Sequence, residues 1–235
     1  MLLLGHRGAR RYAAENTFAA FDLALEHGCH GFEFDVRLTA DARLAICHNA
    51  RIGGRRIARS AYSALGLPKP LRLRRRGRDN DAASSLSSLP LPCLEDVLER
   101  YASSAFLDIE LKVAGMEHLV VNMLRRYPPQ RGFLLTSFLP EVLEALRARS
   151  TRLPLGYLAD RSHLLRRWPQ LDVQTVLPHY TLASRRRIEP MKAAGKQVII
   201  WTVNRARAMK KFAELGADGI ISDDSLLLSE TFQGK

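Results

Sequence analysis

The chain has 235 residues, 46% of them hydrophobic and 26% charged, proportions of an ordinary globular protein that exclude a disordered, fibrous or disulfide-stapled chain. No apolar run approaches the roughly 18 residues of a membrane span, and three cysteines, Cys29, Cys47 and Cys93, with none at metal-ligand spacing, point to a reduced cytoplasmic protein. The net charge of +12 admits nucleic acid, an anionic membrane surface or a phosphorylated small molecule as partner, and charge alone does not choose.

Met1 to Leu4 lacks the basic leader and apolar length of a signal peptide and reads as a first strand. Asn16 or Thr17 caps a helix over 18–27 that stops at Gly28. Residues 31–36 form the second strand, and a polar turn at 39–43 leads to a short strand over 44–47 that ends on His48. From Arg51 to about Leu89 the periodicity breaks down, and the segment carries the basic run Arg72 to Arg78 and the serine-rich run 84–88, as expected of an exposed insertion. Pro90 and Pro92 introduce an amphipathic helix over 94–101.

Strand and helix then alternate to the end: strand 105–111, helix 116–127, strand 133–136, helix 140–149, strand 155–158, helix 163–167, strand 173–177, helix 182–194, strand 197–203, helix 205–215 and strand 219–222. With 44–47 an appendage of the second strand, the chain holds eight parallel strands. That pattern predicts an α/β TIM (β/α)8 barrel, one domain over 1–235, with a small insertion after the second strand at roughly 49–90. Active sites of such barrels lie at the carboxyl ends of the strands. His6, Glu33, Asp35, Glu110 and Lys112 all fall there.

Glu33 and Asp35 lie two apart on one strand, so they share a face, while Phe32, Phe34 and Val36 share the other. Two like charges buried side by side cost several kcal/mol or force one to protonate, unless a cation joins them. With Glu110 they supply three hard oxygen ligands, which suit Mg2+ or Ca2+ better than zinc. The structural alternative pairs these acids with Arg7, Arg37 or Lys112 as buried salt bridges. His6 and His48 bracket the acidic pair and form the obvious proton-transfer couple. Arg7 and Lys112 bring the positive charge that a phosphoryl group needs. Trp201 either covers an apolar edge of substrate or packs in the core. Among Rossmann fingerprints, P-loops, nucleophile elbows and CxxC pairs, none is present.

Ten stretches occur in one order: His6 to Ala9, Glu15 to Thr17, Glu33 to Val36, Thr39 with Asp41, His48, Leu94 to Leu98, Asp108 to Lys112, Ser137-Phe138, Trp201 to Asn204 and Gly216 to Asp223. This set resembles the motif order of the glycerophosphodiester phosphodiesterases, over nearly the whole chain. The resemblance implies a TIM barrel that hydrolyses glycerophosphodiesters to glycerol 3-phosphate and an alcohol. It implies that Glu33, Asp35 and Glu110 hold a divalent metal, that His6 and His48 act as general acid and base, and that Arg7 and Lys112 bind phosphate, with Glu15 behind them.

The chain departs from the family pattern at His48-Asn49, where an acid usually follows the histidine, at Gly53 to Arg56 in place of an Arg-Thr pair, and at Asp224-Ser225, where a proline is usual. Two rival readings follow from the charge: action on a larger lipid phosphodiester in the manner of a lysophospholipase D, with Arg72 to Arg78 against an anionic membrane, or a non-catalytic anion-binding barrel. No nucleic-acid module is recognisable, so a small-molecule phosphodiester is the expected partner.

Overall fold

The computed structural model describes residues 1–66 and 91–233. Arg72 to Arg78 and the serine run lie outside the described residues. Eight strands run parallel around a closed barrel: β1 (Leu2–His6), β2 (Gly31–Leu38), β6 (Phe106–Leu111), β7 (Phe133–Ser137), β8 (Leu155–Ala159), β9 (Thr175–Pro178), β10 (Gln197–Ile200) and β11 (Gly219–Ser222). Closure comes from β1, which pairs with β11 on one side and β2 on the other. A short β3 (Leu44–Ile46) adds to β2 antiparallel, so it is the appendage that the sequence predicts. Beyond it β4 (Arg51–Ile52) and β5 (Arg55–Arg56) form a hairpin that aperiodicity concealed, turned by Gly53 and Gly54 at φ of 53° and 80°.

Outside the barrel lie α1 (Phe18–Glu26), α2 (Leu94–Tyr101), α3 (Glu117–Arg126), α4 (Pro140–Arg149), α5 (Ser162–Leu165), α6 (Arg185–Ala193), α7 (Ala206–Glu214) and α8 (Ser225–Gln233). Thr17 is the cap of α1, its hydroxyl accepting from the Ala20 amide. The sequence reading stops at β11 and misses α8, because Leu226, Leu227 and Leu228 run together and show no helical period. Strand 197–203 is also shortened: pairing ends at Ile200, and Trp201 joins only through an isolated bridge to His179.

Alternation along each strand sorts side chains between two cores. Phe32 and Phe34 face the helices, where Phe32 stacks on Phe21 with ring centres 4.3 Å apart. The barrel interior is divided. Leu4, Leu134, Leu158, Leu177, Ile199 and Ile221, each from a different strand, form an apolar cluster, while β2 and β6 point Glu33, Asp35, Asp108 and Glu110 inward, all buried. Gly31 permits the β2–β6 contact, since a Cβ there would come 1.8 Å from the Phe106 carbonyl oxygen.

Candidate active site

Parallel register brings the acids together. Asp35 is level with Glu110, and Glu33 is level with both His6 and Asp108. Carboxylate oxygens of Glu33, Asp35 and Glu110 come within 4.8 Å of one another. Burial, reinforced by Asp35 and Glu110, drives the Glu33 carboxyl well above the usual range. Glu110 is pushed up to about 8 by burial and by Asp35, against the pull of Lys112. Burial also acts on Asp35, but Lys112, Arg7 and a hydrogen bond from Asn16 together outweigh it and hold that carboxylate low. Asp35 is therefore the ionised centre of the cluster. Asp35 Oδ1 and Glu110 Oε1 are buried without a well-aligned hydrogen bond, although Lys112 Nζ stands 3.3 Å and 2.6 Å from them. Buried oxygens in this condition fit a hard divalent ion.

The turn after β1 supplies the first basic group. Arg7 adopts the left-handed φ of 54°, a conformation that costs about 1–2 kcal/mol for a residue with a side chain. In exchange its backbone N–H donates to Glu33 Oε2 at 3.0 Å. Its side chain donates to both oxygens of Glu15 and stands 3.2 Å from Asp35 Oδ2 through Nε. Gly8 must follow, since a Cβ there would lie 2.5 Å from the Ala20 backbone. Of the salt bridges that the structural alternative anticipates, those of Arg7 and Lys112 to Asp35 are present. Arg37 instead donates twice to the His48 carbonyl, at 2.9 and 2.7 Å, fixing the turn that carries His48.

His6 is nearly buried, with Nδ1 2.6 Å from Asp223 Oδ1 and Nε2 3.8 Å from Glu33 Oε2. A carboxylate only accepts, so Nδ1 carries hydrogen and Nε2 is turned to the cluster. Burial lowers the affinity of His6 for a second proton, against the opposing effect of Asp223. His48 follows β3, and its Nδ1 lies 3.1 Å from Asn49 Oδ1; burial lowers it too. Both rings border a cavity of about 220 Å3 with Arg7, Glu33, Glu110 and Lys112. Trp201 and Phe138 form its apolar wall, packed edge to face at 5.5 Å, and the indole N–H donates to the Leu177 carbonyl. A larger, more open hollow of about 700 Å3 starts beyond His48 at Asn49 and holds none of the carboxylates of the cluster.

Sequence reasoning missed two supporting residues. Asp223 is reached only through barrel closure, and Asn204 holds it by donating to Oδ2 at 2.7 Å. Asn16, assigned to capping, donates to Asp35 Oδ2 at 2.9 Å and accepts from the Asp35 amide. Asp108 sits beneath the cluster, bonded to Thr136 and raised to about 7 by burial.

Comparison with known proteins agrees with this geometry. The profile of the glycerophosphoryl diester phosphodiesterase family matches residues 6–227. The chain belongs to this family. It is 26% identical to a glycerophosphodiester phosphodiesterase of Caldanaerobacter subterraneus, over 95% of this chain and 94% of that one. It is 28% identical to one of Bacillus altitudinis, over 94% of each. Among solved structures, an Oleispira antarctica phosphodiesterase in complex with the product sn-glycerol-3-phosphate shares the fold at a TM-score of 0.82 and 23% identity, covering 100% of this chain and 97% of that one. An enzyme of this family is a phosphodiester hydrolase, and the barrel is the fold that its members share.

Proposed function

We propose that this chain hydrolyses glycerophosphodiesters, such as glycerophosphocholine or glycerophosphoethanolamine, to glycerol 3-phosphate and an alcohol. The observation that carries the reading is the convergence of Glu33, Asp35 and Glu110 within 4.8 Å at a cavity bordered by His6 and His48. The three carboxylates would hold a divalent ion, Mg2+ or Ca2+, which supplies Lewis-acid stabilisation of phosphoryl charge.

The side chains do the rest. Arg7 has five N–H donors, more than Glu15 and Asp35 consume, and with Lys112 it grips the non-bridging phosphate oxygens. One imidazole removes the proton from the nucleophile, which is either water or the neighbouring glycerol hydroxyl whose cyclic phosphate water then opens, while the other protonates the departing alcohol. Asp223 keeps His6 in the tautomer that presents Nε2, as the carboxylate partner of a catalytic histidine does elsewhere. Trp201 and Phe138 cover the carbon edge of the glycerol. The buried, unpaired cysteines support a cytoplasmic place of action. The test is release of glycerol 3-phosphate from glycerophosphocholine by wild type and by His48→Ala; equal rates would overturn the assignment of His48.

A further inference from the structure

The hollow beyond His48 differs in charge from the catalytic cavity. Arg37, Arg51 and Arg56 line it together with Asn49, over an apolar floor that includes Ile57 and Val113, and none of its lining side chains among the described residues is a carboxylate. The chain links its lining to that of the catalytic cavity at two places: Asn49 follows His48, and Val113 follows Lys112. Arg51 and Arg56 stand directly opposite each other in the β4–β5 ladder, so their side chains share one face. Like charges placed opposite in a ladder destabilise it. Arg51 donates only to the Gly54 carbonyl, so among the described residues no acid neutralises the pair. An anion between the two guanidinium groups would.

The catalytic cavity, at about 220 Å3, is smaller than the roughly 300–1,000 Å3 of a drug-sized ligand site. It suits the glycerol phosphate half of a diester and leaves the alcohol to extend past His48. Resting on the reaction proposed above, we infer that the hollow is the subsite for the alcohol and that Arg51 and Arg56 select glycerophosphodiesters whose alcohol carries a further anionic group, such as a phosphate monoester. The arginine pair binds the second anion by charge-assisted hydrogen bonds, and the apolar floor accepts the carbon skeleton between the two phosphates.

The experiment compares kcat/KM for glycerophosphoinositol 4-phosphate and glycerophosphoinositol, which differ by one phosphate, in wild type and in Arg51→Gln/Arg56→Gln. Both residues are exposed and outside the catalytic cluster, so the variant keeps its fold and its rate on glycerophosphoinositol. Wild type should prefer the phosphorylated substrate by about fivefold to tenfold, as two exposed charge pairs supply, mainly through KM, and the double variant should show no preference. Equal rates on the two substrates in wild type, or a preference that survives the double substitution, would overturn the subsite. Activity on neither while glycerophosphocholine is still hydrolysed, or activity on glycerophosphoinositol without discrimination, would overturn the subsite alone, whereas failure to hydrolyse glycerophosphocholine as well would overturn the phosphodiesterase reading with it.

Discussion

His6 and Asp223 are 217 residues apart in the chain and 2.6 Å apart in the fold. Barrel closure makes the contact, because β1 and β11 are neighbours, and it turns a strand-end imidazole into an oriented one. Asp223→Asn keeps the size but lets the partner donate as well as accept, so the wrong tautomer becomes available. Loss of a carboxylate behind a catalytic histidine lowers kcat by about 10²–10⁴-fold, and a comparable loss is expected here. Divalent-ion affinity, read by calorimetry, should stay at the wild-type value because Asp223 is not in the acidic cluster.

Protonation of Glu110 would couple ion binding at the proposed metal site to pH. Burial and Asp35 push the Glu110 carboxyl from its ordinary 4.5 up to about 8 in the metal-free protein, so the folded protein holds a proton between those limits that the unfolded chain has lost. This contribution to stability is present in full below about 4.5 and disappears as pH rises through about 8. A bound cation must displace the proton, so apparent metal affinity should rise with pH until about 8. Calorimetry at pH 7 in two buffers of different ionisation enthalpy should register proton release on ion binding, with Glu110 contributing about one proton per ion and the raised Glu33 carboxyl adding to it. A buffer-independent heat would contradict the shift.

Asn49 presents its Oδ1 3.1 Å from His48 Nδ1. Asn49→Asp adds a negative charge to a ring whose pKa burial lowers, and so should move the His48 limb of the kcat/KM profile to higher pH. A limb that stays in place would show that His48 does not titrate in the rate-determining step.

Asn16 donates to the buried Asp35 carboxylate at 2.9 Å. Asn16→Ala leaves that oxygen short of a donor, at a cost of about 1–3 kcal/mol, which for a chain of this size lowers Tm by about 2–4 °C per kcal/mol. Thermal unfolding of the metal-free protein checks it, and an unchanged Tm would show that Arg7 and Lys112 suffice for Asp35.

Much of this site is legible in the sequence because period-two alternation survives in β2 and β6: Glu33, Asp35 and Glu110 announce a charged interior face before any coordinates exist. The barrel is legible for the same reason, through the change of period from strand to helix. Asp223 and Asn16 are not, since their roles depend on register between distant strands and on a loop that folds back over the strand ends. The ion pairs of Arg7 and Lys112 are legible as an alternative to the metal, but the acid they meet is not. A sequence shows that cations stand near acids, but only the fold shows that Asp35 collects both of them and so stays ionised beside two carboxyls that burial pushes up. The hairpin at 51–56 escaped because its register, which sets Arg51 against Arg56, follows from a Gly-Gly turn inside an aperiodic stretch.

The central claim is that three buried carboxylates bind a divalent ion on which phosphodiester hydrolysis depends. Its most direct test is the rate of glycerol 3-phosphate release from glycerophosphocholine by protein stripped with EDTA, dialysed, and then titrated with Mg2+ or Ca2+. The stripped protein should be inactive and recover with saturable dependence on one of these ions, and Glu110→Gln should weaken that dependence. Full activity in the stripped protein, unaffected by added ion, would contradict the account.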